Sequence, residues 1–525
     1  MSPPPILDDL SSAQLKELAA QLLAEVSDLK QIIAAQREEI ARLKGLKGPP
    51  SLKPSGMEKA TEPARSGPGE KCRRRGKVRP RVAVEDCILK AAPPPGSRFK
   101  GYETYLVQEL VLSVRAIRYR RERWTTADGQ TIIAPLPEEV CGHFGAELRR
   151  FVLMLYHQGQ STLPRLENLL RSVGVSISQR QIQRLLTEGQ DVFLTEARDV
   201  LRAGLASPWI SVDDTSARHQ ARNGFCTQIG NDLFTWFGTR ESKSRLNFVD
   251  LLRGGEASLA LNDAAFDYMR RRALPAGLIA RLAEQRQTTF ADQAAWSAHL
   301  ERLGFTDLKT TPNPVQIATE GAIWGSIHAQ GLLRDAVVLS DDAGQFAVGR
   351  HALCWVHAER LVHKLEAFTD RHRAAQQRIR VLIWDFYADL KSYRASPGKR
   401  RRLALRARFD RIFRRRTGFA TLDRLLARLH AAKTELLMVL DRPEIPLHTN
   451  GSENDIRCQV TRRKVSAGTR SDLGRDCRDA FLGLAKTCAK HGIAFWDYLG
   501  DRLRISGHPI IPALPELVRC RGRPG

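Results

Sequence analysis

Two short apolar runs, Trp209 to Val212 and Ala336 to Ser340, each lead into a pair of aspartates, Asp213-Asp214 and Asp341-Asp342. Runs of four or five apolar residues read as buried strands, so acid is delivered to two strand ends. A third acidic residue, Glu453, follows Thr449-Asn450-Gly451 at the expected start of a helix. Two strand-end aspartates and one helical glutamate suit a pair of divalent metals, because Mg²⁺ demands oxygen ligands and phosphoryl chemistry needs charge neutralised on attacking and leaving oxygens. The three acids lie 128 and 112 residues apart, so any such site is assembled by folding and not by a local motif.

The rest of the composition narrows the partner. The 525 residues carry 83 Lys+Arg against 58 Asp+Glu, a formal charge of +25. Length suggests several domains, and the basic excess favours a polyanion, since each cation on a phosphate releases counterions. A membrane surface is the other polyanion, but no run of about 18 apolar residues exists to span one. The opening MSPPPILDDLSS lacks the charged-then-apolar layout of a signal peptide, and the default expectation is a cytoplasmic protein. The nine cysteines are thinly scattered with no Cys-x-x-Cys pair, so zinc is not expected.

Along the chain, residues 12–44 carry the cleanest periodicity. Leu15, Leu22, Leu29 and Leu43 recur on one seam, interrupted by Gln36, with Ala19, Val26, Ile33 and Ile40 on the other. This predicts a parallel dimeric coiled coil, the alternative being an amphipathic helix packed on the chain's own body. Residues 45–97 form a basic Pro/Gly-rich linker that includes Arg73-Arg74-Arg75-Gly76-Lys77. Residues 98–136 alternate around Asp128-Gly129, predicting a small β module with a hairpin. Residues 140–205 turn helical. Leu163 to Ser172, Gly174, and a second helix capped by Ser178 have the layout of a helix-turn-helix, with Arg180 and Arg184 among the donors suited to base edges. A purely structural helical hairpin fits the same pattern.

Strands at 209–212, 225–230 and 233–238 and a helix near 243–252 open the segment 207–500. Mostly helical stretches at 254–333 and 359–440 read as insertions, the second strongly basic. The last 25 residues, 501–525, read as a basic tail in which Arg521-Gly522-Arg523-Pro524 resembles a minor-groove hook.

Residue chemistry leaves choices open. Adjacent Asp213 and Asp214 point to opposite faces of a strand, so one alone reaches a shared metal; Asp341 and Asp342 pose the same choice. Asn450-Gly451-Ser452-Glu453 also fits a capping box, in which Glu453 needs no metal. Cys354 and His357 form a lone Cys-x-x-His pair with no second pair at zinc spacing.

The Asp-Asp-Thr at 213–215, Ser-Asp-Asp at 340–342, the Cys354-Trp355-Val356-His357 run, and Asn450 to Arg457 followed by Arg462-Arg463-Lys464 resemble the insertion-sequence-sixty-six type of DDE transposases. The resemblance is specific from about residue 207 to 500. It implies an α/β fold with a ribonuclease-H-like catalytic core and helical insertions, preceded by the coiled coil, the β module and the helix-turn-helix-like region. It implies DNA cleavage at element ends and strand transfer into target DNA, with Asp213, Asp341 and Glu453 holding two Mg²⁺ ions (Mn²⁺ as a substitute). His219, His357, Arg463 and Lys464 become candidates for gripping DNA. The partners implied are element ends and target DNA, a second copy of the chain, and accessory proteins of the same element, in a prokaryotic, nucleoid-associated setting. The alternative is an inactive relative or a DNA-binding regulator. Many members of this family carry a Cys-rich zinc segment before the catalytic domain; here that stretch keeps only Cys72 and Cys87.

Overall fold

A computed structural model describes residues 83–137, 142–305 and 313–522. The expected coiled coil at 12–44, the linker up to residue 82, Cys72, Cys141 and the last three residues lie outside the described part. Residues 83–122 contain no strand, and β1 (Arg123–Thr125) pairs only with β2 (Thr131–Ile133) across the Asp128-Gly129 turn, with every residue exposed. The β module expected over 98–136 is therefore reduced to this hairpin. Alternating residues such as Tyr105 and Val107 are exposed and have no partner strand to turn their pattern into a sheet.

Four helices follow: α1 (Ala146–His157), α2 (Leu163–Ser172), α3 (Gln179–Thr187) and α4 (Asp191–Leu205). The α2 and α3 ends fall where local chemistry puts them. Thr162 and Ser178 cap them, and Ser178 completes a capping box with Gln181. This pair is not a separate body: Leu166, Leu170, Ile182 and Leu186 join the same buried cluster as Phe481 and Tyr498 from the C-terminal helices.

The central sheet is built from β3 (Trp209–His219), β4 (Arg222–Gly230), β5 (Thr235–Arg240), β8 (Val337–Ser340) and β9 (Arg350–Leu353), in spatial order β5-β4-β3-β8-β9. The strand β4 runs antiparallel to both neighbours, whereas β3, β8 and β9 are parallel. The β3 strand does not stop at Asp213, as the apolar run alone suggested. It continues to His219 because every residue from Ser211 to His219 pairs with β4, through a tight turn at Gln220 and Ala221 with φ of 48° and 62°.

Helix α5 (Arg245–Leu252) leads to the first insertion. There a minimal hairpin, β6 (Leu259–Ala260) with β7 (Thr289–Phe290), joins α6 (Asp263–Arg271), α7 (Ala276–Ala283), α8 (Gln293–Arg302) and α9 (Pro314–Ala329). The second insertion holds α10 (Trp355–His363), α11 (Asp370–Ala395), α12 (Lys399–Phe413), α13 (Ala420–Ala431) and α14 (Lys433–Leu436). It has a core of its own, in which Trp355 packs with Phe386, Phe409 and Phe413 and donates its indole N–H to the Leu436 carbonyl at 2.9 Å. Leu353, Cys354 and Trp355, just before the expected start at 359, already pack into this core.

Finally α15 (Asn450–Ser466) and α16 (Asp472–Lys490) return to the sheet, and α17 (Phe495–Arg502) and α18 (Leu514–Gly522) close the chain. Residues 501–522 are not a loose tail. Leu514 and Val518 are buried, and the Leu514 N–H bonds Glu196 at 3.0 Å. Glu196 also takes the Tyr498 hydroxyl and two N–H groups of Arg502 at 2.8–2.9 Å, which rivets α17 and α18 to α4.

Candidate active site

The period of two along β3 decides which aspartate faces which neighbour. Ser211 shares a 2.6 Å hydrogen bond with Ser452, Thr215 takes one from Arg463, and Ala217 packs with Ile456, all on α15. Asp213 lies on that same α15 face. Asp214 points away and is held by Lys243 and by the Gln345 amide at 2.8 Å. Likewise Asp342 is tied to Arg428 on α13, whereas Asp341, just beyond the end of β8, accepts the Ala343 N–H at 3.1 Å. One aspartate of each pair is spent on an ion pair with Lys or Arg; among the described residues the other forms no such ion pair.

Burial pushes the Asp213 carboxyl up to about 6, an effect that the Asp214 N–H bond at 2.8 Å and the charge of His357 oppose and the charge of Asp341 reinforces. Asp213, Asp341 and His357 therefore share one electrostatic environment. His357 sits in the first turn of α10, and its Nε2 is 3.6 Å from Glu453 Oε1, while Arg360 one turn on is 3.8 Å from the same oxygen. That Glu453 oxygen is buried and accepts no hydrogen bond. Burial lowers the His357 imidazole, but the neighbouring Cys354 thiol and Glu453 outweigh it and the net shift is upward. Burial likewise raises Cys354, and His357 with the Thr449 N–H, 3.4 Å from its sulfur, brings it below its ordinary value.

The capping-box reading of Glu453 is not what forms. The N-cap is Thr449, with no side-chain cap, and Asn450 is already inside α15. The Glu453 side chain is thereby free to turn toward His357. Directly across β4 from Asp213 stands Gln228, buried, with neither amide atom hydrogen-bonded.

The donor set suits a hard divalent cation: oxygen ligands, two of them carboxylates that form no Lys or Arg ion pair among the described residues. Among the described residues, however, no three His, Cys, Asp or Glu side chains converge closely enough to hold a metal ion as they stand.

Other sequence candidates fall elsewhere. His219 lies at the far end of β3, bonded to Thr469 at 2.9 Å and Asp472 at 3.0 Å, so it is not part of the acidic cluster. Arg463 is drawn onto Thr215 and Ser216. Lys464 is exposed on the same helix. On α3, Arg184 pairs with Glu188 at 2.8 Å, Gln179 bonds Glu167 and Gln181 serves the cap, which leaves exposed Arg180 and Gln183 as its donors without a side-chain partner among the described residues. Sequence reading missed Arg360. Its signal was the three-residue spacing from His357, which puts both on one helix face.

Residues 343–476 match the family described as Transposase IS66 family. The matched stretch contains His357, Arg360 and Glu453 and begins two residues after Asp341. The chain is also 51% identical over 323 residues to "Uncharacterized protein y4jO" of Sinorhizobium fredii (strain NBRC 101917 / NGR234), which covers 61% of this chain and 100% of that protein. Among the described residues no helix is long and apolar enough to cross a membrane.

Proposed function

We propose that this chain, which belongs to the Transposase IS66 family, cuts DNA at the ends of an insertion sequence and joins those ends to target DNA. The observation that carries the reading is the sorting of the acidic pairs: Asp213 and Asp341 share one environment while Asp214 and Asp342 are spent on Lys243 and Arg428. The strand order β5-β4-β3-β8-β9 with one antiparallel member supports a ribonuclease-H-like core. Asp341 then follows the carboxyl end of β8, and Asp213 lies on β3 just past the stretch that pairs in parallel with β8, near where ligands of open α/β sheets gather.

Asp213, Asp341 and Glu453 would hold Mg²⁺, or Mn²⁺ in its place. When bound, the ions would supply charge neutralisation for an in-line phosphoryl transfer. His357 and Arg360, 3.6 and 3.8 Å from Glu453 Oε1, would orient its carboxylate. In nicking, a water oxygen bonds to phosphorus as the bond to the 3′-oxygen breaks, leaving a 3′-OH. In joining, that hydroxyl oxygen attacks a target phosphorus and the target's own 3′-oxygen leaves. No covalent protein–DNA intermediate is required. A second copy, paired through residues 12–44, would bring two ends together.

The test is an in vitro assay with the full chain, duplexes carrying the element ends, and Mg²⁺. Nicked ends with a 3′-OH and joined products are expected. Asp213→Asn, Asp341→Asn and Glu453→Gln should each abolish both while binding DNA. Hydrolysis without joining would reduce the chain to a nuclease, and binding without nicking would make it a regulator.

A further inference from the structure

The C-terminal half of α15 and the far half of β3 enclose a cavity of about 20 Å³, separate from the acidic cluster. Arg218, Arg462, Arg463, Ser466 and Ala467 line it. Its chemistry is one-sided. Arg462 is 4% exposed, stacks on the Tyr156 ring at 3.6 Å, and spends Nη1 on the Tyr156 and Ser161 carbonyls. Its Nη2 is buried and has no hydrogen-bond partner, and the Ser466 hydroxyl beside it has none either. Among the described residues, Arg478 is the guanidinium of this cavity matched by a carboxylate, Asp479; Arg218, Arg462 and Arg463 make their contacts to carbonyls and hydroxyls.

Two orphaned groups able to donate, and three guanidiniums without a carboxylate, leave an unfilled demand for an acceptor carrying negative charge. The backbone around them is held out of its relaxed form. Ala467 has φ 59° and ψ −89°, a strained combination for a residue with a side chain. A Cβ at Gly468 would stand 2.3 Å from the Arg218 carbonyl, so only glycine lets the 467–469 segment close against β3.

We infer that this cavity is a phosphate-oxygen site that grips the DNA backbone away from the reacting phosphate. About 20 Å³ admits one water-sized atom. A single non-bridging phosphate oxygen of a strand lying over the exposed Arg218 and Ser216 fits that space; a base or a whole free nucleotide does not. The position is set by the elements themselves. Arg462 is nine residues beyond Glu453 along α15, roughly 14 Å at helical rise, and Ser216 is three beyond Asp213 along β3, roughly 10 Å. With phosphates every 3.4 Å of axis on each strand, the gripped phosphate lies roughly three or four nucleotides from the one being cut. The site rests on the reading of DNA as substrate, but not on catalysis.

Two measurements test it, both on the full chain in EDTA so that cleavage plays no part. In the first, inorganic phosphate replaces chloride at constant ionic strength. The melting temperature of the wild-type protein should rise and saturate, because a ligand bound only by the folded state stabilises it. Ser466→Asp, which places a carboxylate in the cavity, should abolish that rise. In the second, binding to an arbitrary duplex is followed against salt. Ser466→Asp and Arg218→Glu should each reduce the log–log slope by about 0.9 and weaken binding roughly tenfold at 0.1 M salt, whereas Ser466→Ala should leave the slope unchanged. Arg218 is exposed, so its variant stands in if Ser466→Asp fails to fold. Absence of phosphate stabilisation, or an unchanged slope in Arg218→Glu, overturns the site and leaves a cavity for one water. Phosphate stabilisation with an unchanged slope would identify a free-anion site and equally refute the DNA grip. A chain that grips DNA here yet never nicks it refutes the catalytic reading alone.

Discussion

Replacing Asp213 by Asn should make the metal-free protein more stable at neutral pH, and by an amount that depends on pH in a defined direction. Burial raises the folded-state carboxyl from 3.8 to about 6, so between these values the folded protein holds a proton that the unfolded chain has released. Stability then falls as pH rises through that window. Below about pH 3.8 both states are protonated and the wild type bears no penalty. Above pH 6 the carboxylate is ionised in a place that disfavours charge, and the cost is about 3 kcal/mol at 1.36 kcal/mol per unit. Asn keeps the shape and can still accept the Asp214 N–H through its carbonyl, so it removes the charge without opening a cavity. The expected gain is about 2–3 kcal/mol at pH 8, shrinking to near zero at pH 4. Urea denaturation of both proteins in EDTA across this range measures it, with Asp214→Asn as the comparison. An Asn variant that is less stable than wild type at pH 8, or a difference that does not change with pH, would refute the reasoning. It would mean that Asp213 is held by a partner as Asp214 is, and not stored as unneutralised charge for a ligand.

Three more outcomes are expected. Asp214→Asn should keep cleaving DNA while Asp341→Asn does not, since Asp214 is spent on Lys243 and Gln345; the reverse result in a nicking assay would reassign the site. Glu196→Gln should cost about 1.5–3 kcal/mol in a denaturation experiment, because it takes the more buried of two carboxylates from Arg502, which keeps Asp501, and loosens α18. Less than about 1 kcal/mol would mean water replaces the carboxylate. Arg180→Ala should lower preference for element ends over random DNA by about 1–3 kcal/mol, whereas charge removal at the exposed Lys399, Arg400 and Arg411 should weaken binding to all sequences and flatten its salt dependence. Equal effects from both would make the α2–α3 hairpin scaffold only.

Where a structural choice was local, the sequence carried it. Thr162 and Ser178 set the starts of α2 and α3 because a cap needs only the next three residues. The runs before Asp213 and Asp341 announced strands because four buried apolar residues suffice for that. Other choices were made at long range. Nothing near Asp213 says whether it or Asp214 faces the cluster; that depends on which side of β3 receives α15, 240 residues later, through contacts such as Ser211 with Ser452. The capping box at Asn450 failed for a similar reason. The Leu447 carbonyl is taken by the Trp355 N–H and the Thr449 N–H lies on the Cys354 sulfur, so the incoming chain is pinned one residue early and Thr449 becomes the N-cap. Residues 514–522 read as tail because nine residues make too short a helix to stand alone, and the Glu196 carboxylate that anchors them lies more than 300 positions away. Patterning told each segment what it could become, whereas the pairing of distant surfaces decided which carboxylates were tied up in an ion pair.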